Sequence, residues 1–459
     1  MLIACSDQTQ AADLPRRVTS DKLVVHEWGT FTSLEDETGK PLGGINVDDE
    51  PIPPFVHQVM ASYAVVPQYH DFSRELMQGA PAQYPYVTLR LETPVMYFYP
   101  PKSQTKPLDV DVSVQFRGGW LTQFYPAAQI DTPQPKMLVD LEKTILHRNT
   151  RSSLTWNQLR VGTQGRGPDT DEAVWLAPRN VTAANVTMPG GESERYLFYR
   201  GVGSIDSPLA VASSEENGML TLRGRFDEVL PADKTETIRW LWLAKIDADG
   251  VVAYRSLKPI QITGNRTAVA AQIGSMFSPA DFAPQNLARL QHEMHAALVA
   301  EGLFDEEAAA MLKTWEKSYF HSGGWRLFFI VPQNWTEHYL PLTISVPAEV
   351  TRVMMGRTEL ISFEQRELLA RLANSSISDR SWVKSIPPSA AAQQFFSGHS
   401  DFGDLGVTIP ADYQLYLALG RFRNALLVDE QTRRHSPTLA KFIDNYDLRP
   451  FQVSAQSAH

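Results

Sequence analysis

Four side chains near the start of the chain are of the types that bind metal ions. They are His26, Glu27, His57 and His70. Zinc needs three or four such groups converging on one point, with further partners fixing each imidazole. These residues could therefore support a metal-dependent hydrolase near His26 and Glu27, with zinc or calcium as the metal. Their spacing matches no metal motif, so the sequence itself predicts no cofactor, and the alternative is a strand histidine bonded by backbone or carboxylate.

Two other motifs resemble catalytic signatures but depart from them. His292-Glu293-Met294-His295 is one residue short of the helical zinc pattern. Gly398-His399-Ser400-Asp401-Phe402-Gly403 resembles a nucleophile elbow, but its second glycine comes one residue late. That elbow also requires a strand before it and a helix after it. A turn is the better interpretation of this segment.

Acidic residues offer two possible calcium sites, each with a simpler explanation. Asp109 and Asp111 could act as acid and base or bind Ca²⁺. They share one face of a strand that alternates without a fault, so the simpler interpretation is that they form its solvent side. Asp247-Ala248-Asp249-Gly250 resembles the start of a calcium loop, but the twelfth position is Lys258 instead of glutamate. Asp-Gly is typical of a tight hairpin turn. There is no glycine-rich phosphate loop, so no nucleotide is predicted.

Aromatic residues are the remaining candidates for ligand binding. The chain has 10 Trp and 15 Tyr, and exposed rings stack on sugars or anchor peptides. Trp28, Trp240 and Trp242 are the candidate ligand-binding rings, the last two on one strand face. The alternative is that these rings pack in the core of a large β domain.

From Leu23 to about Asn265 the sequence predicts strands and turns, and these elements must position the candidate residues. Val24 to Ser33 alternates as a strand, and Gly29 within it permits a bulge or a close backbone approach. Neighbours on a strand point to opposite faces, so His26 and Glu27 cannot form a site by themselves. Many short strands with turns between them favour an antiparallel sandwich or barrel over a parallel sheet. Arg148 to Asn185 lacks this pattern and is predicted to be a long surface excursion.

Helices follow. Ser278-Pro279 predicts the start of a helix to about Gly302, and Asp305 to Phe320 predicts a second helix that completes a hairpin. Ser362 and Gln365 form a capping box. The predicted fold is mainly β with appended helices (α+β). It is divided into a tether or disordered arm (1–22), a β-rich domain (23–270), a helical hairpin with a small α+β segment packed on it (271–375), and a loop with C-terminal helices (376–459).

Composition excludes some functions. The chain has 42 basic and 52 acidic residues, giving a net charge of -10, and no basic run is present. A phosphate backbone would be repelled, so nucleic acid is not an expected partner. No apolar run reaches the ~18 residues of a membrane-spanning helix.

The single cysteine has an informative position. Leu2-Ile3-Ala4-Cys5 resembles the bacterial lipobox, in which small residues precede a cysteine that becomes lipidated. The resemblance implies a membrane partner through an N-terminal lipid anchor, and Ser6 after the cysteine favours the outer membrane. The charged and apolar segments of an export signal are missing before it. Either the start is truncated or the match is chance.

Several stretches together resemble a family of uncharacterised exported bacterial proteins. They are His26 to Thr32, Leu91 to Tyr99, Tyr196 to Gly201, Glu307 to Trp315, Trp325 to Pro332 and Met355 to Leu360. The resemblance implies a bacterial setting outside the cytoplasm, and it implies no activity, cofactor or functional residue.

The predicted function is that of an exported cell-envelope lipoprotein of the periplasm or outer membrane. Its β domain would be a binding or structural module for a protein or polysaccharide partner. The alternative is the metal-dependent hydrolase with its site near His26 and Glu27.

Overall fold

The structure is a computed structural model that describes residues 20–47, 52–59, 76–77, 80–81, 83–131, 146–214, 218–247, 249–385 and 408–450. The strands are β1 (Leu23–Glu35), β2 (His57–Gln58), β3 (Leu76–Met77), β4 (Ala80–Pro81), β5 (Leu89–Leu91), β6 (Val95–Tyr99), β7 (Leu108–Arg117), β8 (Gly119–Tyr125), β9 (Gln129–Asp131), β10 (Arg151–Val161), β11 (Val186–Thr187), β12 (Ser193–Glu194), β13 (Leu197–Gly203), β14 (Leu209–Ser214), β15 (Met219–Gly224), β16 (Thr235–Ile238), β17 (Leu241–Ile246), β18 (Val252–Leu257), β19 (Ile260–Thr263), β20 (Val269–Gly274), β21 (Gly324–Ile330), β22 (Leu342–Ile344) and β23 (Ala348–Leu360).

The α-helices are α1 (Ala173–Arg179), α2 (Asn286–Ala300), α3 (Asp305–Thr314), α4 (Gln333–Tyr339), α5 (Phe363–Ala373), α6 (Ala411–Leu417), α7 (Arg423–Arg434) and α8 (Pro437–Asn445). Short 3₁₀ helices span Pro279–Asp281 and Arg380–Ser385, and a π-helix spans Glu316–Phe320.

A ten-stranded main sheet organises the molecule. Its order is β18-β17-β21-β23-β1-β5-β13-β8-β2, and β6 pairs with β1 and β13 in line with β5. β1 lies in the middle and runs parallel to β23 over its whole length, whereas the other pairs are antiparallel. The sheet is not a closed barrel. The prediction of a mainly β fold with appended helices is confirmed, although one central pairing is parallel.

β1 is buried on both faces because apolar layers cover both sides of the main sheet. One face packs on a second sheet of order β12-β11-β10-β7-β22, with β9 paired to β10, and the shared sheet core includes Val25, Phe31, Val112 and Trp156. The other face packs on α2 and α3 in a helix core that includes Val24 and Trp28 of β1. Alternate residues of β1 therefore pack in different layers, one set in the sheet core and the other in the helix core.

The predicted helical hairpin is present. Leu290, Met294 and Leu298 of α2 are buried as one stripe. The predicted start at Ser278 is wrong, because a 3₁₀ turn comes first and α2 begins at Asn286. The capping box is confirmed, since Ser362 accepts from the Gln365 N–H and Gln365 accepts from the Ser362 N–H.

The C-terminal helices α6, α7 and α8 cover one end of the main sheet. Their C-terminal core includes Tyr416, Leu426 and Phe442 from the helices, with Leu34 and Trp120 from the sheet. None of the helices in the described ranges is both long and apolar enough to cross a membrane.

Two features of the structure differ from what the sequence predicted. Arg148 to Asn185 is not a surface excursion, because β10 occupies residues 151–161 at the centre of the second sheet. The regions 23–270 and 271–375 also share one sheet, because β21 and β23 lie between β17 and β1.

Candidate functional site

His26 lies on the helix-facing side of β1, where a carboxylate holds it. Its Nδ1 is 2.8 Å from Oε2 of Glu307, whose side chain is completely buried. Glu307 also accepts from the Tyr99 hydroxyl (2.7 Å) and the Phe304 N–H (2.7 Å) at the start of α3. These bonds hold α3 on the main sheet. His26 is therefore a strand histidine bonded by a carboxylate, which is the alternative to a metal ligand that the sequence left open.

Glu27 points to the opposite face, as the alternation predicts. Its Oε1 accepts from the Tyr199 hydroxyl at 2.5 Å, and its Oε2 pairs with Arg352. Arg352 also donates to the Leu340 carbonyl. Burial raises the pKa of Tyr199 well above its usual value, and the negative charge of Glu27 adds to the shift. Tyr199 therefore stays a neutral donor to this carboxylate.

The predicted metal ligands do not come together in the described ranges. His57 lies in β2 at the edge of the main sheet, where its Nε2 is 2.9 Å from Glu192. β5, β13 and β8 separate β2 from β1, a distance of about 19 Å at ~4.8 Å per strand. The described part of the chain holds no group of three or more His, Cys, Asp or Glu side chains able to bind a metal ion. Cys5, His70 and the segment from Gly398 to Gly403 lie outside the described residues.

The three candidate tryptophans all contact the helical layer. Trp28 is fully buried edge-on against Trp315, with ring centroids 5.3 Å apart. Trp242 is buried, and its Nε1 donates to Glu293 of α2 at 3.1 Å. Trp240 is half-buried and donates to Glu301 at 2.9 Å. Packing under α2 and α3 accounts for all three rings.

The two acidic pairs also take part in local structure. Asp111 accepts from the Gln158 N–H at 2.7 Å across β7 and β10. Asp247 accepts from the N–H groups of Asp249 (3.0 Å) and Val251 (2.7 Å) in the turn between β17 and β18. The predicted hairpin is confirmed.

A different part of the main sheet holds a strained backbone. β5 and β6 both pair with β1, and residues 92–94 interrupt the line between them. Thr93 has φ +96, and its hydroxyl accepts from Trp315 Nε1 at 3.1 Å. Gly29 lies against this interruption, because a Cβ there would be 3.1 Å from Pro94. The predicted close backbone approach at Gly29 is confirmed. We call residues 92–94 the sheet break.

Three buried arginines, the partly exposed Arg421 and two glutamates gather beside the sheet break, and we call them the arginine cluster. Glu92 Oε1 is 3.5 Å from Arg90 and 2.9 Å from Arg421, whereas Glu359 Oε1 is 3.3 Å from Arg326 and 2.7 Å from Arg357. Arg357 of β23 and Arg90 of β5 both pair in register with Thr32 of β1. Residues paired across strands share a face, so these three side chains form one row.

The cluster also meets the end of the helical hairpin. Arg357 donates to the Ser318 carbonyl at 3.0 Å, and its guanidinium lies 4.3 Å from the centroid of the Tyr319 ring. Arg326 donates to the carbonyls of Tyr319 and Ser322, both at 2.7 Å. Cations at the carbonyl end of a helix are stabilised by its dipole. Both arginines therefore hold the π-helix on the sheet, and π-helices are frequent at functional sites.

Burial changes the acid–base behaviour of these groups. It is the main reason that the pKa of Arg326 falls to about 10, with Glu359 opposing the shift and Arg357 adding to it. Burial also opposes the charge of Arg357, but Glu359 and Glu92 outweigh it and raise the pKa of that guanidinium. The pKa of Tyr319 lies well above its usual value, mainly through burial and the nearby Glu92. At neutral pH Arg326 and Arg357 are therefore cations, and the Tyr319 hydroxyl is neutral.

Sequence reasoning missed the arginine cluster, although a signal was present. Arg326 and Arg357 interrupt apolar strand segments, Trp325 to Ile330 and Val353 to Leu360. A charged residue at a buried strand position is rare unless it is paired. The break at Thr93-Pro94 is visible in the sequence, but the partners that it meets come from distant positions.

Comparisons with known proteins give no family for this chain. No family model matches it, and no curated protein matches it. Among solved structures, the chain is similar to the Mu homology domain of Fcho1 from Danio rerio, solved with a bound Eps15 peptide. The match covers 74% of this chain and 97% of that chain, with 7% identity and a TM-score of 0.26. A TM-score this low carries no argument about fold or function.

Proposed function

We propose that this protein is a binding module of the bacterial cell envelope and that its ligand site lies at the arginine cluster beside the sheet break. The lipobox-like Leu2 to Cys5 and the resemblance to exported bacterial proteins support the envelope setting. The site assignment is supported by the strained backbone at Thr93.

The strained backbone at Thr93 carries the proposal. A β-branched residue rarely adopts positive φ, and the strain costs about 1–3 kcal/mol. Directly before it, Oε2 of the buried Glu92 has no hydrogen-bond partner within the described residues. Leaving such an oxygen unbonded costs about 1–3 kcal/mol more. Strain of this kind clusters at ligand clamps and active sites, so the sheet break is the best candidate for a binding site.

The composition of the cluster favours recognition over turnover. Its four guanidinium groups are obligate donors that stay charged, and each glutamate is already shared between two arginines. Groups held this firmly orient a ligand and do not readily give up or accept protons. A binding role fits them better than acid–base catalysis.

A thermal-shift panel on the full chain tests the binding proposal. The probes are maltose as a neutral sugar, spermidine as a cation, and phosphate and sulfate as anions. A ligand that binds only the folded protein raises its Tm. We expect at least one probe to raise the Tm of the wild type and to have no effect on Thr93→Gly, in which the strained residue is replaced.

Gln158→Gly is the matched control, because Gln158 also has positive φ (58°) but is exposed in the second sheet. This variant should keep the ligand-induced shift. The site assignment fails if no probe changes the Tm of the wild type, or if both glycine variants respond as the wild type does.

Lipid attachment is tested separately at Cys5. Labelled palmitate is expected to enter the full-length protein and not Cys5→Ser. Equal labelling of the two would contradict the envelope-anchor part of the proposal.

The metal-dependent hydrolase near His26 and Glu27 stays a prediction from sequence, and elemental analysis of purified protein separates it from the binding module. If the protein is a binding module, we expect no stoichiometric metal whose binding depends on His26. Zinc or calcium bound at about one ion per chain, and lost in His26→Ala, would replace the proposal with the hydrolase.

A further inference from the structure

We infer that the arginine cluster binds an oxyanion group of its ligand, with Nη2 of Arg357 as one of the donors. The inference rests on the proposed function, because it names the chemical class of the ligand at the same site. Three observations lead to it: the charge balance of the cluster, one unbonded guanidinium nitrogen on Arg357, and the partly exposed rim at Arg421.

The charge balance of the cluster favours an anion. The four arginines of the cluster share the two carboxylates of Glu92 and Glu359, which leaves two formal positive charges. Buried charges in excess of their counter-ions are strongly disfavoured. An added oxyanion would offset this excess.

Arg357 has a donor still free to make that contact. Its side chain is completely buried, its Nε donates to Glu359 and its Nη1 donates to the Ser318 carbonyl. Its Nη2 has no hydrogen-bond partner within the described part of the chain. An unbonded donor on a fixed, planar guanidinium is suited to an oxygen of phosphate, sulfate or carboxylate.

The rim of the cluster is Arg421, which is its most exposed arginine. The side chain of Arg421 is 9% exposed, whereas those of Arg326 and Arg357 are 1% and 0% exposed.

Calorimetric titration of the full chain with phosphate, sulfate and acetate tests the inference, with chloride added to hold the ionic strength constant. We expect at least one oxyanion to bind the wild type. Arg357→Lys keeps the charge but loses the fork of donors, so we expect it to weaken that binding about tenfold. Phosphate and sulfate binding without acetate would identify a tetrahedral group, and acetate alone would identify a carboxylate.

Arg352→Lys is the matched control, because Arg352 is a buried arginine of the same strand that faces the other sheet and is balanced by Glu27. It should leave oxyanion affinity within about twofold of the wild type. Arg421→Gln, at the rim, provides a second variant if Arg357→Lys does not fold, and should weaken binding about threefold.

The outcomes separate the inference from the function on which it rests. Equal oxyanion affinity in the wild type and in the folded cluster variants overturns the inference. If maltose or spermidine binds in a Thr93-dependent way and no oxyanion does, the inference is overturned and the proposed function stands. If no probe of any class binds the wild type, both are overturned.

Discussion

Glu35, at the end of β1, is a buried carboxylate whose ionisation should make the stability of the protein depend on pH. Burial raises its pKa from 4.5 to about 7, although Arg225 and the Val211 N–H both oppose the shift. The folded protein therefore binds more protons than the unfolded chain between these two values, and this contribution to stability is lost as the pH rises through about 7.

The variant Glu35→Gln tests this sign. Between pH 5 and pH 8 the wild type should lose about 2–3 kcal/mol more free energy of unfolding than the variant, at ~1.4 kcal/mol per pKa unit. Urea unfolding at the two pH values measures the difference. Parallel losses in the two proteins would show that Glu35 does not titrate in this range.

Glu37 provides a control, because its pKa is shifted in the opposite direction to that of Glu35. Burial raises its pKa, but the ion pair with Arg366 outweighs burial and lowers it. Its contribution is present above the unfolded pKa and is lost as the pH falls. Glu37→Gln should therefore destabilise the protein more at pH 8 than at pH 4.

The residues around β1 show what a local pattern can and cannot predict. Alternation along the strand placed His26 and Glu27 on opposite faces, and the structure agrees. It could not identify their partners, because Glu307 lies 281 residues and Arg352 lies 325 residues away in sequence. The arginine cluster was missed for the same reason, since its members come from four separate segments.

At the scale of elements, the parallel pair of β1 and β23 depends on close packing at one glycine. A Cβ at Gly356 would come 2.5 Å from Phe329 and 2.8 Å from Phe31, both in the sheet core. Gly356→Ala should therefore destabilise the protein by about 1–3 kcal/mol, because extra volume in a packed core forces its neighbours to shift.

Urea unfolding measures this change, and Gly190→Ala is the matched control. A Cβ at Gly190 would have no atom within 4 Å, so its substitution should change the free energy of unfolding by less than about 0.5 kcal/mol. An equal effect of the two substitutions would contradict the packing argument.

The periodicity of apolar residues predicted some elements correctly. It failed in a strand where a β-bulge interrupts the alternation. The capping box at Ser362 and the buried stripe of α2 depend on local contacts, and both are present. β10 was missed because a bulge between Trp156 and Leu159 shifts its inward positions by one residue. Such a shift hides the alternation that identifies a strand.

At the scale of the whole molecule, the main sheet contains strands from both sides of the predicted domain boundary at residue 270. β21 and β23 connect β17 to β1, so a fragment of residues 23–270 would lack the strands that join its two halves. We expect this fragment to show no cooperative thermal transition. Co-expression with residues 271–459 should restore one, because the missing strands can then pair.

Circular dichroism during heating measures the transition in the fragment, the co-expressed pair and the full chain. A cooperative transition in the fragment alone would show that residues 23–270 form an independent domain, as the sequence suggested. The helical layer and the C-terminal helices would then be additions to a complete β domain.

The pairing of β1 with β23 also has a consequence for biosynthesis. Partners in this register are 325 residues apart. A ribosome adding about 5–20 residues per second needs roughly 15–65 s to cover that distance. For that interval the nascent chain carries an apolar strand with one edge unmatched, a species prone to associate with other chains. A holding chaperone, or delayed collapse of the first segment, would protect it until the last sheet strand emerges.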